Sequence, residues 1–179
     1  IGGVLGLLLL GLRVYVHESG MFNKLKEQKV KRGDFLGLFS NGRRSFKYVC
    51  CILAGVPTWY AVGILVTFSK EFGEYLGIVN AAGVPVAVDS GQAVMYHYIG
   101  AAIGSIATGF LSQRLKSRKK ALVIAIACLG LFSIAYFASF GMTSTVFYFI
   151  VFLLGLAVGY WAVLVTVASE QFGTNIRST

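Results

Sequence analysis

The chain alternates long uncharged apolar runs with shorter polar stretches, and that alternation predicts its elements. Residues 48–68, 91–111, 121–140 and 146–168 are four such runs. Each reaches the roughly 20 residues that a helix needs to cross a bilayer. Residues 1–12, IGGVLGLLLLGL, are shorter. They read as the end of a span whose beginning is missing, because a signal peptide would have a basic region before the run and a small-residue cleavage site after it. The predicted fold is an all-α membrane protein, a polytopic bundle of transmembrane helices.

Residues 13–47 form a basic connector with amphipathic helical pieces at 21–32 and at 34–39, DFLGLF. Two readings stand for it: pieces lying on an anionic membrane surface, or a solvated linker. Residues 69–90 form a second connector, and 141–145 an uncharged turn. Within the spans, Pro57 lacks the N–H that would bond the Leu53 carbonyl, so a kink is expected there. Gly100, Gly104 and Thr108 recur on one face of their helix, which suits close packing against a neighbour.

Composition strengthens this reading. The residues are 56% hydrophobic and 13% charged, with mean hydropathy +0.75, more apolar surface than a soluble domain of this length can hide. The net charge of +9 would suit nucleic acid, yet the cations lie in loops between apolar runs. The partner is lipid, not nucleic acid. Fifteen of the 16 Lys and Arg residues fall in 13–47, 112–120 and 169–179, leaving Lys70 alone on the other side. By the positive-inside rule those three segments are expected to be cytoplasmic, in a plasma or bacterial inner membrane. Cys50, Cys51 and Cys128 lie inside apolar runs without ligand spacing, so no metal, cofactor or disulfide framework is expected.

The hairpin GFLSQRLKSRKKAL, residues 109–122, resembles the signature loop of the major facilitator superfamily of secondary transporters. That pattern is Gly, three residues, an acid, a base, any residue, Gly, any residue, and two bases. Gly109, Arg114, Arg118 and Lys119 match it, whereas Gln113 stands for the acid and Lys116 for the second Gly. SEQFGTNIRST at the end of the last span is similar to the family's Glu-x6-Arg, with Glu170 and Arg177 matching. RVYVHESGMF is similar to its Arg-x4-Glu-Ser ending of helix six, with Arg13, Glu18 and Ser19 matching.

The order of the motifs implies helix six through helix ten of a twelve-helix transporter. It implies alternating-access transport of a small organic solute, with protons as a candidate coupling ion. The paired Gln residues of sugar-carrying relatives are absent, so a hexose is not favoured. A scaffolding membrane protein is the alternative. A membrane-embedded enzyme is a weaker one, because it needs convergent catalytic groups within the spans and only His97 is ionisable there.

The resemblance and the residues together nominate sites. Glu18, Gly109, Arg114, Arg118, Lys119, Glu170 and Arg177 form a candidate gating network, in which opposite charges latch neighbouring helix ends; the alternative is simple orientation anchors. Lys116, Lys119 and Lys120 also suit anchoring alone. His97 is the candidate proton carrier, or else a neutral side chain bonding a neighbouring helix. Trp59, Tyr60, Tyr96, Tyr160 and Trp161 are candidate lining of a solute cavity, since mid-span Trp and Tyr seek partners for their polar atoms.

Overall fold

The computed structural model describes residues 41–171, together with residues 3, 6, 9–11 and 39. Most of the expected span at 1–12 and of the connector at 13–47 lies outside them. Among the described residues, four helices are long and apolar enough to cross a membrane: Gly42–Val66, Ser90–Arg114, Arg118–Phe137 and Ser144–Gln171.

The first helix, α1 (Gly42–Tyr60), starts six residues before the apolar run does, because Asn41 caps it. The Asn41 side chain accepts a hydrogen bond from the Arg43 N–H at 3.0 Å, satisfying one of the orphan donors of a helix start. The helix therefore begins within the expected connector 13–47. Pro57 does not end α1. Four residues later the backbone widens into a π-helical segment, Ala61–Val66. There the Thr67 N–H reaches the Val62 carbonyl at 3.2 Å, a spacing of five. The Thr67 hydroxyl donates to that same carbonyl at 2.8 Å, and the Tyr136 hydroxyl donates to the Leu65 carbonyl at 2.9 Å. Irregular backbone at membrane depth persists where side chains re-satisfy it in this way.

A short helix, α2 (Ser69–Tyr75), follows. The sequence reads 69–90 as a plain connector, but it contributes to the core: Leu76, Ile78 and Val88 are all buried. The Val79 N–H donates to Met142 O at 3.1 Å, and Ser144 N–H to Val79 O at 2.8 Å, fastening the connector to the turn before the last span.

Asp89 caps α3 (Ser90–Arg114) by accepting from the Gly91 N–H at 2.7 Å. Ser117 caps α4 (Arg118–Phe137). The last span, expected at 146–168, covers Ser144–Gln171. It divides into α5 (Ser144–Val158) and α6 (Trp161–Gln171), interrupted at Gly159 and Tyr160. Of its most apolar stretch 56% is buried, against 22–28% for the other three spans. The α5–α6 span is therefore the axis on which the others pack.

The closest seam joins α3 to this axis. Ala93, His97, Gly100, Gly104 and Thr108 form the buried face of α3, and Gly155 and Gly159 oppose it. A methyl added at Gly100 would fall 2.2 Å from the Phe152 carbonyl oxygen, and one at Gly155 would fall 2.0 Å from that of His97. Lipid supplies no hydrophobic drive between helices, so such backbone-to-backbone contact supplies the attraction instead.

Candidate functional site

Two regions combine polar groups with departures from regular helix. The first lies where α1 and α3 meet the interruption between α5 and α6. A cavity of about 380 Å3 opens there, and Thr58, Trp59, His97, Tyr98, Ser105 and Trp161 are among its lining. Trp59 and Trp161 meet edge to face, with ring centroids 6.0 Å apart. His97 is 1% exposed, its ring lies edge-on to Tyr98 at 5.8 Å, and its Nδ1 has no hydrogen-bond partner. Among the described residues, no Asp, Glu, Lys or Arg borders the cavity.

Tyr160 sits beneath this cavity rather than in its wall. It is fully buried. Its hydroxyl accepts from the Thr58 hydroxyl at 3.0 Å and donates to the Ala54 carbonyl at 2.7 Å. The hydroxyl thus ties the helix interruption at 159–160 to the part of α1 around Pro57. Tyr96 lines a different cleft, of about 570 Å3, beside Tyr148 and Phe152. Tyr60 lies outside the lining of both and is partly exposed. Of the five expected aromatic residues, the structure brings Trp59 and Trp161 together at one cavity. Thr58, Tyr98 and Ser105 join them without having been singled out; adjacency to Pro57 and His97 was the available signal for the first two.

The second region is the basic end. The α3–α4 hairpin turns through Lys116, which has a left-handed backbone with φ 49°. Its N–H donates to Gln113 O at 3.1 Å, and the Ser117 N–H donates to Ser112 O at 3.3 Å. This pair of bonds is the Schellman closure of a helix end, which requires the left-handed conformation that glycine adopts without penalty. Lys116 occupies the position of the signature's second glycine, so the geometry explains why that pattern asks for glycine there.

Across this end, Arg118 at the start of α4 donates to the Glu170 carboxylate near the end of α6. Both side chains are about half exposed, at 45% and 53%, so the pair contributes no more than about 1 kcal/mol to stability. What it does is join two helix ends from different spans. Arg114 and Lys119 are exposed, and neither has an ion-pair partner among the described residues. Gly109 has open space where a Cβ would project. Glu18 and Arg177 lie outside the described residues.

Four long apolar spans, with a cavity between irregular helices and an ion pair joining two helix ends, describe a polytopic membrane protein. The Major Facilitator Superfamily model matches residues 1–179, and the chain belongs to that family of membrane transporters. The chain matches no curated protein and no solved structure.

Proposed function

We propose that this protein carries a small organic solute by secondary active transport, with alternating access between the two membrane faces. The observation that supports it best is the cavity beside Trp59, His97 and Trp161, placed where two spans lose regular α geometry. Transporter sites form at such interrupted helices because the breaks let one group of helices rock against another. The four spans correspond to helices seven through ten of a twelve-helix carrier. Segments 13–47, 112–120 and 169–179 face the cytoplasm. His97 carries the coupling proton, as the ionisable side chain at the cavity. Arg118 and Glu170 form the cytoplasmic latch.

The latch supplies the test. In the complete carrier, Glu170→Gln removes the acid that faces the cations of the hairpin. A reporter cysteine at Gln171 should then change its labelling rate from the cytoplasmic side, transport should slow, and protein levels should stay near normal. The double swap Glu170→Arg with Arg118→Glu should recover part of the loss, whereas a swap with Arg114 should not. If neither swap improves on the single variants, the charges act as separate anchors and the latch is wrong.

A further inference from the structure

At the basic end, α1, α4 and α6 leave a groove of about 260 Å3 between them. Lys47 of α1 and Lys119 of α4 line it, and Cys50, Ala54, Leu122 and Val167 give it apolar walls. A second cleft, of about 350 Å3, lies between α1 and α6 and shares Cys51 and Leu164 with the first. The described lining of this second cleft is uncharged and reaches Trp59. Both Lys47 and Trp59 lie on α1, about 18 Å apart along its axis at roughly 1.5 Å per residue. Half the hydrocarbon thickness of a bilayer is about 15 Å, so the two clefts together run about the depth of one leaflet.

The two lysines are not matched within the described residues, where neither has an ion-pair partner. The described acids are Glu71, Glu74 and Asp89, on the connector at the other end of the spans, and Glu170, which already receives Arg118. A bilayer brings an anion to a helix end in the form of a headgroup phosphate, with hydrocarbon attached below it. Lysine suits that contact, since its methylene stem lies along apolar surface while the ammonium reaches the headgroups. Each cation beside an anionic headgroup strengthens binding about fivefold, whereas a zwitterionic headgroup carries its own ammonium and gains less. We infer that the groove between α1, α4 and α6 binds one anionic phospholipid, with its phosphate between Lys47 and Lys119 and an acyl chain running past Cys51 and Leu164 as far as Trp59. The site depends on the spans and their charges, not on what the protein transports.

The complete carrier, purified in detergent, is titrated separately with dioleoyl phosphatidylglycerol and dioleoyl phosphatidylcholine, and native mass spectrometry reads the lipid retained. The two lipids share acyl chains and differ in headgroup charge. Glycerophosphoglycerol, the same anionic headgroup without chains, serves as a competitor. A first double variant, Lys47→Gln with Lys119→Gln, removes the cations that line the groove. A second, Lys116→Gln with Lys120→Gln, removes two cations of the same end that are not in its lining.

Expected is one saturable phosphatidylglycerol adduct, held about tenfold more tightly than phosphatidylcholine. The first double variant should lose about fivefold or more of that preference, and the second less than about twofold. Equal losses in the two variants would make the attraction a property of the whole basic surface and overturn the site. Equal retention of the two lipids, the result if another part of the carrier fills the groove, overturns it as well. Displacement by glycerophosphoglycerol at the lipid's own concentration would show that a free phosphate suffices, and would overturn the acyl-chain cleft. With phosphatidylcholine alone, the first variant should unfold at the same temperature as the unmodified protein. A lower midpoint there would mean that the lysines pair with acids of the protein itself, and would overturn the lipid as occupant.

Discussion

Replacing Gly104 with Ala inserts one methyl group into the seam between α3 and the α5–α6 axis. Its Cβ would lie 2.0 Å from the Leu156 carbonyl oxygen, 2.7 Å from the carbonyl carbon and 2.9 Å from Cα. Ordinary contact begins near 3.4 Å, so the helices must separate by about 1.4 Å along that line. Both sides of the contact are backbone, and no rotamer change relieves it. The separation also loosens the neighbouring contacts at Gly100, Gly155 and Gly159, each of which brings α3 backbone against the axis. Overpacking of this kind costs about 1–3 kcal/mol, which raises the unfolded fraction roughly five- to 150-fold. Thermal unfolding in detergent, followed by labelling of the half-buried Cys51 and Cys128, reads this as a lower midpoint. Gly130→Ala is the control, since a Cβ there meets nothing within 4 Å. It should be neutral or stabilise α4 by up to about 1 kcal/mol. A Gly104→Ala midpoint equal to that of the unmodified protein would refute the packing argument, and so would an equal fall in Gly130→Ala.

Three further outcomes follow from the same geometry. Lys116→Gly should raise the unfolding midpoint by the equivalent of about 1 kcal/mol, because it removes a left-handed side-chain conformation; Lys116→Ala, which removes only the charge, should bring no such gain. Tyr160→Phe keeps the ring but loses the bonds to Thr58 and Ala54, so unfolding free energy should fall by about 1–3 kcal/mol, and an unchanged midpoint would show the tie to be dispensable. His97→Gln retains hydrogen bonding without titrating, so uptake by the complete carrier should lose its response between about pH 5 and 8. A pH profile overlaying the unmodified one would make His97 a positional residue only.

The spans were legible because a bilayer imposes a local rule: about 20 consecutive residues without charge, whatever lies elsewhere in the chain. The small-residue face at Gly100, Gly104 and Thr108 was legible for the same kind of reason, since helical periodicity is local. The ends were less so. Asn41 moved the start of α1 through a cap on the Arg43 N–H, a bond that hydropathy does not register. The cavity was half legible. Trp59 and Trp161 stand out as mid-span aromatics, but nothing in the chain announces that Tyr160, next to Trp161, is fully buried and bonded to Thr58 and Ala54.

By itself, then, the sequence determined the class of protein: charge-free run lengths set the helices, the cation skew set the expected orientation, and the loop motifs pointed to the family. These are one-dimensional properties, each readable within a few turns of helix. Tertiary structure decided which residues share a site. Tyr160 bonds partners 102 and 106 residues away, Arg118 pairs with Glu170 across 52, and Gly104 meets the carbonyl of Leu156 on another span. In a membrane these pairings follow from shape and hydrogen bonding rather than from hydrophobicity, because every span is apolar and lipid does not discriminate among their faces.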